Sequence, residues 1–114
     1  MTRVYKILTR RAWDEAAIDG SFCGSPLDLK DGFIHLSTAA QAPETARLHF
    51  AGQTDLIIVG FDAEAFGGAL KWEASRGGQL FPHLYRPLTV AEARTIDDLP
   101  LGDGHTPVVP ALEP

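Results

Sequence analysis

Hydrophobic and polar positions first alternate in Arg3 to Leu8, where Val4, Lys6 and Leu8 fall on one side and Tyr5 and Ile7 on the other. That period of two predicts a strand. Thr9 then offers a hydroxyl cap for a helix over Arg10 to Ile18. Trp13, Ala16 and Ala17 share one of its faces, and Gly20 terminates it. Ser21 to Asp28 is rich in small residues and turn formers and reads as a surface loop. Asp31-Gly32 signals a turn before a short β-prone stretch, Phe33-Ile34-His35-Leu36. A helix follows from about Ala39 to Phe50, with Pro43 tolerated near its first turn and Ala51-Gly52 as its stop. Asp55 to Asp62, apolar and β-branched at Ile57, Ile58 and Val59, predicts a buried strand. Two more strands are expected, at Ala69 to Ser75 and at Gln79 to Tyr85, joined through Gly77-Gly78. Pro82 restricts the second of these to an edge, an end or a bulge.

Composition narrows the class. The 114 residues, 45% hydrophobic and 22% charged, fit a single domain over residues 1–114. That composition excludes disorder and fibrous repeats, and Cys23 as the only cysteine excludes a disulfide scaffold. Ten basic against fifteen acidic residues give a net charge of -5, which disfavours nucleic acid as a partner. The first residues lack the long apolar segment of a signal peptide, and the longest apolar run, Leu56 to Phe61, is far too short to cross a bilayer. A cytoplasmic protein without a membrane partner is expected.

Chemistry is sought among polar groups set in apolar stretches. His35 lies within Phe33-Ile34-His35-Leu36, Glu73 beside Trp72, and His83 between Phe81-Pro82 and Leu84-Tyr85. Aromatic neighbours remove water from such groups, so their partners set their acidity and hydrogen-bonding power. Adjacent strands would bring Glu73 to His83. The plainer reading makes the histidines hydrogen-bonded structural residues and leaves the glutamate solvated. Ser37 and Thr38 either cap the following helix or share its N-terminus with an anion such as a pyrophosphate. His49 and His105 are assigned structural places. No G-x-G-x-x-G, G-K-[ST] or G-x-S-x-G is present. His35, Glu73 and His83 also suit a metal face of two histidines and one carboxylate, although no close histidine spacing supports it. A non-enzymatic ligand- or protein-binding module is the third reading.

Asp31-Gly32-Phe33-Ile34-His35-Leu36-Ser37-Thr38, with Trp72-Glu73 and Phe81-Pro82-His83-Leu84-Tyr85 downstream, resembles the bacterial family called domain of unknown function 952. Tyr5-Lys6-Ile7, Trp13 and Ser25-Pro26-Leu27-Asp28 also look like that family, so the likeness extends to about Ile96. Grouping with the ADP-ribosyltransferase-like fold implies an α+β domain of two packed antiparallel sheets with two or three short helices. The resemblance makes Thr89 to Ile96 a closing strand, where propensity alone favours a helix. The tail from about Asp97, with Pro100, Pro107, Pro110 and Pro114, reads as irregular. It further implies a cleft between the sheets that takes NAD as substrate. His35 with Ser37 would hold a ribose hydroxyl, Tyr85 would stack on the nicotinamide ring, and Glu73 would support the cationic transition state. The family's middle tyrosine motif is not recognisable, and His83 has no counterpart. Transfer or hydrolysis at the N-glycosidic bond of a small-molecule ligand is thus expected, with His35, Glu73 and His83 catalytic and His35, Ser37, Thr38 and Tyr85 in binding.

Overall fold

β4 (Leu56–Asp62) is buried along nearly its whole length, which explains its continuous apolar sequence. On one side it pairs antiparallel with β1 (Arg3–Thr9), in register from Arg3 opposite Asp62 to Thr9 opposite Leu56. On the other it pairs with β8 (Thr95–Leu99), giving the order β1-β4-β8. The computed structural model describes residues 2–114, the side chain of Arg76 excepted. Ile57, Val59 and Phe61 face one core cluster with Trp13, Ile34 and Leu84. Ile58 faces another with Tyr5, Ile7, Ala42 and Ala46.

α1 (Arg10–Asp19) is capped as its sequence demands. Thr9 Oγ1 accepts from the Ala12 amide at 3.1 Å, and Gly20 closes the helix at φ 85°, where only glycine is unstrained. Trp13 and Ala16 are buried, whereas Ala17 faces solvent and Ala12 packs in its stead. α3 (Ala42–His49) starts later than expected. Thr38 and Gln41 first make a reciprocal turn, Thr38 N donating to Gln41 Oε1 at 3.1 Å and Gln41 N to Thr38 Oγ1 at 3.2 Å.

The second sheet has the order β3-β6-β5, from β3 (Ile34–His35), β6 (Leu80–Leu84) and β5 (Leu70–Ala74). A third, two-stranded sheet pairs β2 (Ser21–Phe22) with β7 (Leu88–Thr89). Three antiparallel sheets therefore replace the two expected. The two larger ones meet where Tyr5 and Ser37 exchange backbone hydrogen bonds of 2.8 and 2.9 Å.

Four expectations are corrected. Ser21 to Asp28 is not simply a loop, because it contains β2 and the start of α2 (Pro26–Asp31). Ser25, Pro26 and Asp28 form a complete capping box with proline in the first turn. Within Thr89 to Ile96, β7 gives way to a tight turn at Val90–Glu92, and β8 opens only at Thr95. β8 extends to Leu99, into the span read as tail, because β4 offers it a free edge and Leu99 a buried place. Pro82 sits in a middle strand. Its carbonyl accepts from Leu36 N at 3.1 Å, so its missing N–H points to the flank where two-residue β3 has already ended.

Candidate functional site

Cross-strand register assembles the site. His83 stands opposite His35 on β3 and opposite Lys71 on β5, and Glu73 stands opposite Phe81. Opposed residues share a face, so His35, Glu73 and His83 project from the same side of the sheet, with Phe33 and Tyr85 at matching positions. His83 Nδ1 donates to Glu73 Oε1 at 2.9 Å, and the Tyr85 hydroxyl donates to the same oxygen at 2.7 Å. Phe33 stacks on the His83 ring at 4.0 Å between centroids. The His35 and His83 rings meet edge to face at 5.8 Å. The hydrogen bond from Tyr85, then that from His83, holds the Glu73 carboxyl below its usual range. The same bond to Glu73 raises the Tyr85 phenol.

His35 is anchored by a residue that sequence reasoning missed. Asp28 Oδ1 faces His35 Nδ1 at 2.6 Å and accepts the His35 amide at 3.0 Å. Ser25 N donates to the other oxygen, Oδ2, at 2.9 Å. Lys6 Nζ reaches both carboxylate oxygens, at 3.2 and 2.9 Å, and the His35 carbonyl at 3.1 Å. Both charged side chains are buried, Lys6 at 7% and Asp28 at 2% exposure. Burial works against an ionised Asp28, yet the bond from His35 and the charge of Lys6 hold its carboxyl far below the ordinary range. Burial pushes the Lys6 ammonium below its usual value, and Asp28 opposes that shift. The signals were present in the sequence: a lysine on the apolar side of a strand, and Ser-Pro-x-Asp as a helix start. His35 Nε2 lies 2.9 Å from Asp31 Oδ2, at the exposed end of α2.

A cleft of about 770 Å³ opens between β1 and α1 on one side and β3 and β6 on the other. Lys6, Asp28, His35, Ser37 and His83 line it, and Leu8, Ala12, Ala16 and Phe22 give it an apolar wall. The expected set is thereby divided. His35, Ser37 and His83 face the cleft, with the Ser37 hydroxyl 3.1 Å from that of Thr45. Glu73 is not among the lining residues and holds His83 through Nδ1, while Tyr85 borders a smaller hollow of about 230 Å³ with Phe33 and Cys23. Thr38 serves the turn into α3. Among the described residues no group of three or more His, Cys, Asp or Glu side chains is placed to hold a metal ion, so the two-histidine, one-carboxylate metal face does not form. Among the same residues no helix is long and apolar enough to cross a membrane.

The arrangement defines an α+β protein whose antiparallel sheets present two carboxylate-held histidines to a ligand-sized cleft. The family model described as "Protein of unknown function (DUF952)" matches residues 7–96, and the chain belongs to that family. It is 53% identical to protein CC0527 from Caulobacter crescentus, whose crystal structure superposes with a TM-score of 0.92 over 94% of each chain. The crystal structure of a double mutant of CC0527 gives 0.91 at the same identity and coverage. Its solution NMR structure gives 0.84 at 54% identity, over 94% of this chain and 92% of that one. No curated protein matches.

Proposed function

We propose that the cleft binds a ribose-bearing nucleotide, with NAD as the candidate that the resemblance to the ADP-ribosyltransferase-like fold supplies. The observation that carries this reading is the convergence of His35, Ser37 and His83 on a cleft of about 770 Å³, a volume typical of small-molecule sites. Leu8, Ala12, Ala16 and Phe22 suit a planar ring, and the hydroxyl and imidazole groups of the opposite wall suit ribose. Asp31 occupies His35 Nε2 in the free protein. A ribose hydroxyl would replace that exposed carboxylate, while Asp28 keeps the ring in place from Nδ1.

Thermal unfolding with NAD tests the reading. At one hundred times its dissociation constant, a ligand of the folded state adds about 2.7 kcal/mol, which at this chain length raises Tm by roughly 10 °C. His35→Ala weakens NAD at least tenfold. An unchanged Tm in millimolar NAD removes the reading.

A further inference from the structure

His83 is a buried side chain with one nitrogen unaccounted for. Its side chain is 6% exposed, and its Nδ1 is engaged by Glu73, yet Nε2 has no hydrogen-bond partner among the described residues. No fully buried side-chain nitrogen or oxygen among those residues is left unpartnered, so Nε2 keeps some access to solvent, and His83 is one of the residues that line the cleft. Glu73, ionised and an acceptor only, requires the proton of a neutral imidazole on Nδ1, which leaves the lone pair on Nε2. Phe33, stacked at 26° to the ring plane, and Tyr85, bonded to the same Glu73 oxygen, fix the orientation. This is a carboxylate–histidine pair whose free nitrogen faces ligand space, the arrangement of a general base.

We propose that His83 is the general base that activates water in the cleft for hydrolysis of the N-glycosidic bond of NAD, with Glu73 and Tyr85 as its positioning residues. Nε2 takes a proton from water as the oxygen bonds to the anomeric carbon. The carbon–nitrogen bond breaks, and nicotinamide leaves with the electron pair. The products are ADP-ribose, nicotinamide and a proton held on Nε2 until solvent removes it, so no oxidant or reductant is needed. Glu73 faces the imidazolium that forms and stabilises it across Nδ1. The proposal rests on NAD as ligand of the cleft.

Two measurements on the intact chain test it. Nitrogen-15 NMR of the ligand-free protein, with the ring neutral, is expected to show His83 as the Nδ1–H tautomer, and Glu73→Leu to shift it to Nε2–H. Nicotinamide release from NAD is expected to fall at least 100-fold in His83→Gln and at least tenfold in Glu73→Gln, with the NAD-induced Tm rise retained in Glu73→Gln. Glu73 is half-exposed and does not line the cleft, so Glu73→Gln keeps the test open should His83→Gln not fold. A wild-type Nε2–H tautomer, NAD that binds without releasing nicotinamide, or variants within threefold of wild type each overturn the general base alone. NAD that does not bind overturns the nucleotide reading and this proposal together.

Discussion

Replacing Lys6 with methionine keeps the length of the side chain and removes its charge, leaving Asp28 ionised in a site where it is 2% exposed. At the observed 2.9 Å, an effective dielectric constant of about 20 gives an attraction of about 6 kcal/mol. Amide hydrogen bonds from Ser25 and His35 stay with Asp28 and reduce the net loss, so about 3–5 kcal/mol is expected, as for other broken buried pairs. With a urea slope of about 1–3 kcal/mol per molar, the unfolding midpoint falls by at least about 1 M. Lys6→Met with Asp28→Asn should lose less than the sum of the single changes, because the stranded charge is gone. Acid unfolding gives a second reading of the same pair. The folded-state pKa of Asp28 lies below its unfolded value near 4, so its stabilisation is complete above about pH 4 and is lost as pH falls further. Asp28→Asn removes that part of the acid limb. A midpoint for Lys6→Met within 0.3 M of wild type, or strictly additive changes in the double variant, would falsify the view of Lys6 and Asp28 as one coupled unit.

Tyr85→Phe takes away the larger of the two hydrogen bonds that depress Glu73, so the carboxyl should titrate closer to its ordinary range in carbon-13 NMR; an unmoved titration contradicts the assignment. Gly60→Ala places a methyl carbon 2.9 Å from Cε2 of Tyr5 and against the Thr95 hydroxyl, and the Tyr5 ring is buried with its hydroxyl tied to the Glu113 carbonyl at 2.6 Å. Overpacking of about 1–3 kcal/mol should appear in urea unfolding, and wild-type stability would show that the corner between β1, β4 and β8 gives way. Ser25→Ala loses the cap on the Asp28 amide, worth about 1 kcal/mol, and should lower Tm by roughly 4 °C; no change would mean that α2 stands without its box.

What the sequence discloses about this molecule follows from where its information is local. β1, β4 and α1 were legible because their period, capping residues and apolar runs lie within ten residues of one another. The pairing of Glu73 with His83 was legible for the same reason, since a glycine pair between two short strands leaves few registers. The place of His35 opposite His83 depends instead on β3, a two-residue strand held by a partner far along the chain. Propensity cannot specify so short an element; the buried Ile34–Leu84 pair on the reverse face does.

The same distinction explains why the carboxylates were the harder half of the site. Each histidine announces itself as a polar group among aromatics, whereas Asp28 looks like one more turn former until Ser25 and Pro26 are read as its helix start. One carboxylate then does three jobs: it completes the cap of α2, neutralises Lys6 on the cleft wall, and fixes His35 at Nδ1. Glu73 does the corresponding work for His83 from outside the cleft, with no buried cation and with a tyrosine hydroxyl in its place. Two imidazoles on one wall thus rest on supports of different character, one buried and salt-bridged, the other half-exposed and braced by a tyrosine hydroxyl. Substitution at Asp28 should therefore register first in stability, and substitution at Glu73 first in the protonation of His83 Nδ1, a division that paired urea and nitrogen-15 measurements on Asp28→Asn and Glu73→Leu resolve directly.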